Sequence, residues 1–228
     1  MKSYDVIIIG SGIGGLCCGS LLALAGKSVL ICEAHSKPGG VAHSFKRRGF
    51  HFESGPSLWS GISKWPTTNP LGQILKLLNE EIEIKKYKNW RVLFPEAHFN
   101  LNVGNKAFRQ KILTLRGEKS LSQWDSFINS VKPISEIINQ MPLLTTSPDN
   151  LNIIEALNLL RKFLPNIKSI KQISKGFGHV VDEHLDDPFL RNWVDLLSFL
   201  ISGMPMHDTN TAAMATLFEE WFAASAYL

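Results

Sequence analysis

Residues 4–33 read YDVIIIGSGIGGLCCGSLLALAGKSVLICE and carry the clearest indication of the fold. Its apolar run Tyr4 to Ile9 ends in glycine, as a strand buried on both faces of a parallel sheet does. The Leu- and Ala-rich segment Ile13 to Ala25 stops at Gly26, a typical helix C-terminus. A second apolar run, Ser28 to Cys32, follows. Strand, tight turn, helix and strand within about 30 residues predict a βαβ unit with a right-handed crossover.

The turn between the first strand and the helix carries the pattern G-x-G-x-x-G over Gly10, Gly12 and Gly15. Gly10 allows a tight turn, Gly12 allows backbone to approach a pyrophosphate, and Gly15 allows close packing of the helix on the strand. The phosphates would lie at the positive N-terminus of the helix. Glu33 ends the second strand, where its carboxylate can accept hydrogen bonds from ribose hydroxyls, and it disfavours the 2′-phosphate of NADP. The alternative interpretation is a glycine-rich structural turn.

A second glycine pair bears on whether the predicted cofactor is FAD or NAD. Pro38-Gly39-Gly40 comes five residues after Glu33, and Ser54-Gly55-Pro56-Ser57 follows. More glycine close to the phosphate turn indicates more backbone lying against a longer ligand. An ordinary loop explains the spacing equally well, so an NAD-binding dehydrogenase remains an alternative.

Residues 10–61, GSGIGG through SLWSG, resemble the N-terminus of FAD-dependent oxidoreductases of the phytoene desaturase and carotenoid isomerase type. That group includes the retinol saturases and belongs to the amine-oxidase-like flavoproteins. Asp187 to Trp193 and Ala213 to Ala215 are also similar to it. The resemblance implies that the ADP half of FAD is bound by glycines and one acid: Gly10, Gly12, Gly14, Gly15, Glu33, Gly39 and Gly40.

The resemblance places three further residues nearer the flavin, namely Gly55, Pro56 and Ser57. The predicted contact set is completed by Ile13, Ala34 and Val41. Val41 stands where many relatives have Arg, and the cations that could replace it, or that are simply solvated in a hairpin, are Lys46, Arg47 and Arg48.

The implied activity is that of a flavoenzyme acting on a lipophilic, carotenoid-like polyene, either by hydride removal to FAD or by flavin-dependent cis–trans isomerisation. The sequence predicts no catalytic residue. His51 is the histidine best placed to approach the cofactor, although an ordinary hairpin position is the simpler interpretation. Relatives continue well past Leu228, so a non-catalytic fragment, or a subunit that needs a complementing chain, is the main alternative.

The rest of the chain is predicted to be mixed and largely helical. The 228 residues are 44% hydrophobic with a net charge of +4, which excludes a disordered tail and gives no reason to expect nucleic acid. The predicted fold class is α/β: a Rossmann-like βαβ unit with an incomplete parallel sheet in residues 1–66, and an antiparallel sheet with a helical substrate region in residues 67–228. The predicted elements are a small hairpin or an extended crossing over Phe45 to Glu53, strands Ile82 to Tyr87, Trp90 to Phe94 and Phe99 to Val103, and helices Leu121 to Met141, Leu151 to Leu164, Ile167 to Leu185, Pro188 to Ile201 and Ala212 to Leu228.

Membrane contact and metal binding rest on weaker patterns. The basic amphipathic stretch from Arg161 to Lys175 could lie on an anionic membrane surface, or its apolar side could face the core. No signal peptide or membrane span is expected, so the predicted location is the cytoplasmic side. The acidic cluster from Asp182 to Asp187 is interpreted as a solvated helix end, and no metal is predicted.

Overall fold

The computed structural model describes residues 2–55, 59, 62, 67, 69–138, 161, 173, 175–223 and 226–227. It divides into two compact units, residues 1–85 with 226–228 and residues 86–225. The predicted α/β class is confirmed, with a parallel pair of strands, antiparallel pairs and many helices. The predicted division after residue 66 lies where few residues are described, and it stays a prediction.

The first unit begins with the predicted βαβ arrangement. Strand β1 (Val6–Ile9), helix α1 (Ile13–Leu24) and strand β2 (Val29–Cys32) follow in order, and the two strands pair in parallel. Helix α1 approaches the strands closely at Gly19, where an added Cβ would lie 2.8 Å from the Cδ1 of Ile31. Because Gly19 has no side chain, the helix can pack directly on the Ile31 side chain of the sheet.

The expectation that β1 is buried on both faces is wrong for the described chain. Ile7 and Ile9 are 61% and 91% exposed, whereas their neighbours Val6 and Ile8 are half-buried. Helix α1 packs on the face of the sheet that carries Ile8. The strand therefore has the alternating burial of a sheet covered on one face.

A 3-10 turn (Gly40–Ala42) leads into the predicted hairpin of β3 (Ser44–Arg47) and β4 (Phe50–Glu53). Its two loop residues both have positive φ, 50° at Arg48 and 83° at Gly49, as a type I′ turn requires. The hairpin is confirmed. The remaining elements of this unit are helix α2 (Pro70–Leu77), capped by the Asn69 side chain, and strand β5 (Lys85–Lys86).

The second unit opens with an antiparallel pair, β6 (Asn89–Leu93) and β7 (His98–Asn102). Each strand turns one apolar side chain fully inward, Val92 and Leu101. The other elements are helices and one 3-10 turn, namely α3 (Asn105–Ile138), α4 (Phe177–His184), α5 (Pro188–Ser202), the 3-10 turn Met206–Asp208 and α6 (Thr211–Ala223).

Aromatic rings fill the core of the second unit. Phe108 of α3 stacks on Trp193 of α5, with ring centroids 4.7 Å apart. The indole of Trp124 is buried, and its Nε1–H donates to the Oδ1 of Asn105 at 2.8 Å. Such large buried rings dominate the free energy gained on folding. The described rings of this cluster also include Phe127, Phe177 and Phe218.

Several predicted boundaries are wrong. The predicted strand Ile82 to Tyr87 is reduced to β5, and the helix predicted from Leu121 already begins at Asn105, with a break at Gly117 (φ 82°, ψ −176°). The predicted helix Leu121 to Met141 includes Pro133, and Pro133 does lie inside α3. Proline removes only one backbone hydrogen bond, and buried Val131 and Ile134 on either side keep the helix packed.

The C-terminal predictions also change. The predicted helix Ala212 to Leu228 ends at Ala223, and a two-residue strand, β8 (Ala226–Tyr227), pairs with β5. The predicted helix Leu151 to Leu164 lies outside the described residues except for Arg161, and most of the basic stretch up to Lys175 does too. In the part of the chain that the structure describes, no helix is long and apolar enough to cross a membrane.

Candidate nucleotide-binding site

The turn between β1 and α1 leaves open space over three of its glycines. Gly10 has φ +97°, and Gly12 is the extended N-cap residue of α1 without a side-chain cap. A Cβ built at Gly10, Gly12 or Gly14 would meet no atom within 4 Å. The first N–H groups of a helix have no partner within it. An anionic group of a ligand therefore has both room and donors at this turn.

Gly15 has a different role in the same turn. A Cβ at this position would overlap the carbonyl oxygen of Gly10 and would lie 3.4 Å from the Cγ2 of Ile8. Only a residue without a side chain lets the helix start this close to the end of β1. Gly15 therefore closes the turn, whereas the other glycines line its open side.

Glu33 is tied to the turn from the end of β2. Its Oε2 accepts the main-chain N–H of Ser11 at 2.7 Å and the Ser11 hydroxyl at 2.6 Å, and its Oε1 accepts the N–H of His35 at 2.8 Å. The Ser11 hydroxyl, followed by these N–H groups, lowers the pKa of Glu33 to about 2. An exposed carboxylate therefore stays ionised beside the helix N-terminus.

The second glycine pair packs against the turn. The N–H of Gly39 donates to the carbonyl of Ser11 at 2.8 Å, and Gly39 forms a parallel bridge with Gly12. A Cβ at Gly40 would lie 3.0 Å from the Cα of Gly12. Both glycines have positive φ, 115° and 59°. The loop containing the pair is therefore attached to the glycine turn by backbone contacts that a side chain would disturb.

His43 connects this loop to the end of the hairpin. Its Nδ1 lies 2.7 Å from the carbonyl of Gly40, and its Nε2 lies 2.9 Å from the Ser54 hydroxyl. A carbonyl only accepts, so Nδ1 carries the proton and neutral Nε2 accepts from Ser54. A Cβ at Gly55 would overlap the carbonyl oxygen of Val41, so the backbone at Gly55 also passes very close to the backbone at Val41.

The predicted contact residues fall into two groups. The structure brings together Gly10, Gly12, Ile13, Gly14, Gly15, Glu33, Gly39 and Gly40 around the turn. Ala34 follows Glu33 and is exposed, as are Val41 and the hairpin residues Lys46, Arg47 and His51. Pro56 and Ser57 lie outside the described residues. The assignment of all these residues to a cofactor stays a prediction.

Sequence reasoning missed Ser11 and the His43–Ser54 link. Ser11 is an unnamed position of the glycine pattern, yet it is only 4% exposed and makes two hydrogen bonds to Glu33. A hydroxyl residue between two glycines, with an acid predicted at the neighbouring strand end, was the available signal.

The acidic cluster of the second unit is used in helix capping and ion pairing. Asp187 caps α5 by accepting the N–H of Phe189 at 2.8 Å, and Asp182 pairs with Arg191 at 2.6 Å. His184 contacts the Ser126 hydroxyl through Nδ1 at 3.0 Å. Among the residues that the structure describes, no group of three or more His, Cys, Asp or Glu side chains could hold a metal ion.

Known proteins resemble this chain in the same region. Residues 8–73 match the NAD(P)-binding Rossmann-like domain. Over 54 residues the chain is 51% identical to all-trans-retinol 13,14-reductase of Homo sapiens, which is 24% of this chain and 9% of that protein. Over 83 residues it is 39% identical to the chloroplastic prolycopene isomerase of Daucus carota, which is 36% of this chain and 14% of that protein.

The fold extends the likeness over nearly the whole chain. An oxidoreductase from Methanosarcina mazei superposes with a TM-score of 0.61 at 15% identity, covering 97% of this chain and 44% of that one. The chain thus spans less than half of that structure and matches a small part of its curated relatives. The resemblance expected from residues 10–61 is confirmed. Residues 8–73 are similar to the NAD(P)-binding Rossmann-like domain, and stretches of 54 and 83 residues are similar to all-trans-retinol 13,14-reductases and prolycopene isomerases.

Proposed function

We propose that this chain binds FAD at the glycine turn and serves an oxidoreductase or isomerase that acts on a carotenoid-like polyene. One observation carries the proposal: three glycines at the start of α1 and just before it have open Cβ positions, and the ionised Glu33 lies beside them at the end of β2. The kinship to proteins named for retinol and prolycopene supports the choice of a polyene.

The residues of the first unit fit the ADP half of such a cofactor. The open side of Gly10, Gly12 and Gly14 admits a pyrophosphate near the N–H groups of α1. Glu33 can accept a ribose hydroxyl. The loop of Gly39 and Gly40, attached to the turn, adds backbone for a ligand longer than a mononucleotide. Bound flavin would accept the hydride in a dehydrogenation or, in its reduced form, would drive the isomerisation, while the protein supplies orientation and excludes water.

Flavin content of the purified chain tests the cofactor. We expect near-stoichiometric FAD in the absorbance spectrum, released on denaturation, and a loss of about tenfold or more in FAD affinity for Gly12→Asp, since a carboxylate would enter the space of the phosphates. Asn79→Asp is the matched control, because it adds the same charge at an exposed loop after α2. Equal FAD binding by Gly12→Asp would contradict the proposal. A nicotinamide cofactor in place of flavin would favour an NAD-binding dehydrogenase.

Turnover is a separate test. FAD-loaded protein is incubated without oxygen, once with oxidised and once with chemically reduced flavin, with prolycopene or all-trans-retinol, and products are separated by chromatography. Conversion of either polyene supports the proposed activity. Bound FAD without conversion would reject catalysis by this chain alone and favour a non-catalytic subunit that needs a complementing chain.

Because the proposed substrate is lipophilic, the same proposal includes peripheral contact of the protein with a membrane on the cytoplasmic side. The described end of the basic stretch offers little support, because Lys175 already pairs with Glu183 at 2.9 Å. Flotation with vesicles containing anionic lipid should show binding that weakens as salt is raised. Protein that stays unbound at low salt would reject membrane contact.

A further inference from the structure

Ser11 holds the Glu33 carboxylate in one orientation. Both donors of this buried residue, its main-chain N–H and its hydroxyl, reach the same oxygen, Oε2, at 2.7 and 2.6 Å. The N–H of His35 reaches the other oxygen, Oε1, at 2.8 Å. A carboxylate tied at both oxygens by three donors cannot rotate freely, although its side chain is exposed.

The remaining acceptor capacity lies on Oε1. An ionised carboxylate offers about two acceptor positions per oxygen. Ser11 occupies both positions of Oε2, and His35 occupies one position of Oε1. Beyond the Ser11 and His35 donors, the Ala34 N–H adds a smaller contribution to holding the pKa of Glu33 down, and Oε1, with one short hydrogen bond against two on Oε2, is the oxygen with more capacity for a donor from outside the loop.

We propose that Ser11 is a positioning residue that aims the Oε1 atom of Glu33 at one hydroxyl of the adenosine ribose of the bound dinucleotide. The inference rests on the proposed function, because it needs an ADP moiety at the glycine turn. It adds that a ribose hydroxyl is recognised through a residue that touches the carboxylate rather than the ligand.

A second serine–carboxylate pair in the same unit provides a control. The Ser28 N–H and hydroxyl donate to the Oδ2 of Asp5 at 2.8 and 2.7 Å. Asp5 and Ser28 precede β1 and β2, whereas Ser11 and Glu33 follow these strands. Because the strands are parallel, the two pairs lie at opposite ends of the sheet. Ser28→Ala therefore removes the same kind of interaction away from the glycine turn.

Binding of ADP, 2′-deoxy-ADP and 3′-deoxy-ADP to the full chain, measured by calorimetry, tests the inference. We expect the wild type to prefer ADP over one of the deoxy analogues by about tenfold or more, as a hydrogen bond to a charged group predicts. Glu33→Gln, which removes the charge, should reduce this preference to about twofold or less, and Ser11→Ala, which removes the hydroxyl but keeps the main-chain N–H, should reduce it severalfold. Ser11→Thr, which keeps the hydroxyl, and Ser28→Ala should retain it.

Carboxyl NMR of Glu33 gives a readout that needs no nucleotide. In the wild type the pKa of Glu33 is about 2, held down first by the Ser11 hydroxyl. In Ser11→Ala the titration midpoint should move toward the ordinary 4.5, while Ser28→Ala leaves it unchanged.

The outcomes separate the inference from the proposed function. Lower ADP affinity in Ser11→Ala with the preference for ribose intact would overturn the positioning role and leave only a structural one. Equal binding of ADP and both deoxy analogues by the wild type would also overturn it, while nucleotide binding stands. A wild type that binds no ADP or FAD would reject the proposed function and the inference together.

Discussion

One methyl group added at position 15 or at position 14 should shift the stability of the first unit in opposite directions. In Gly15→Ala the new carbon would overlap the carbonyl oxygen of Gly10, a backbone atom that cannot rotate away. Overpacking of this kind costs about 3 kcal/mol at its upper range, and the helix preference of Ala offsets about 1 kcal/mol. The net loss is about 2 kcal/mol. In Gly14→Ala no atom lies within 4 Å of the new carbon, so only the gain of up to about 1 kcal/mol remains.

Native-state hydrogen exchange of the β1 and β2 amides, in protein freed of nucleotide, measures both effects. Exchange through unfolding of this unit should be about 30-fold faster in Gly15→Ala and up to about fivefold slower in Gly14→Ala. Removal of nucleotide matters because a bound ligand stabilises the native state. Equal shifts in the two variants would refute the assignment of Gly15 to closure of the turn and Gly14 to its open side.

Three further changes concern the second unit, each measured by urea unfolding followed by tryptophan fluorescence. In Gly178→Ala the new Cβ would overlap the His207 ring, which should lower the free energy of unfolding by about 1–3 kcal/mol. Adding His207→Ala to this variant should recover most of that loss. If the two substitutions instead change the free energy of unfolding additively, the contact does not exist. Asp187→Ala removes an N-cap and the bonds from Ser120 and Arg116, costing about 1–2 kcal/mol at neutral pH. Burial alone would raise the pKa of Asp187, but those hydrogen bonds outweigh burial and lower the pKa below 3.8. The loss of unfolding free energy in Asp187→Ala should therefore be complete above pH 3.8 and become smaller as the pH falls below that value. Pro133→Ala restores an N–H inside α3 and should stabilise by about 2 kcal/mol, which is the roughly 3 kcal/mol helix penalty of proline less up to about 1 kcal/mol for the stiffer unfolded chain. A loss of stability would show that proline suits the local backbone.

Local signals in the sequence determined the elements whose boundaries are correct. Pro188 to Ile201 was predicted as a helix, and α5 covers Pro188–Ser202, because a capping Asp, a first-turn Pro and a following Gly mark its ends within a few residues. The βαβ unit and the hairpin around Gly49 follow from equally short-range rules of periodicity and positive φ. The position of the glycine turn at the N-terminus of α1 was predictable for the same reason.

Contacts between residues distant in sequence decided the rest. Ser11 and Glu33 are 22 residues apart, and their hydrogen bonds exist only because parallel pairing brings the ends of β1 and β2 together. Likewise, the hydrophobic periodicity of the sequence does not indicate that Gly40 packs on Gly12, or that buried neighbours keep the helix packed at Pro133. Because propensity and turn chemistry act locally, the residues alone place the βαβ unit, the glycine turn and α5, whereas the start of α3 and the end of α6 were not predicted. Which glycines face open space, which allow close backbone contact, and how the Glu33 carboxylate is oriented all depend on folding, because these features involve atoms that folding brings within hydrogen-bond or van der Waals distance.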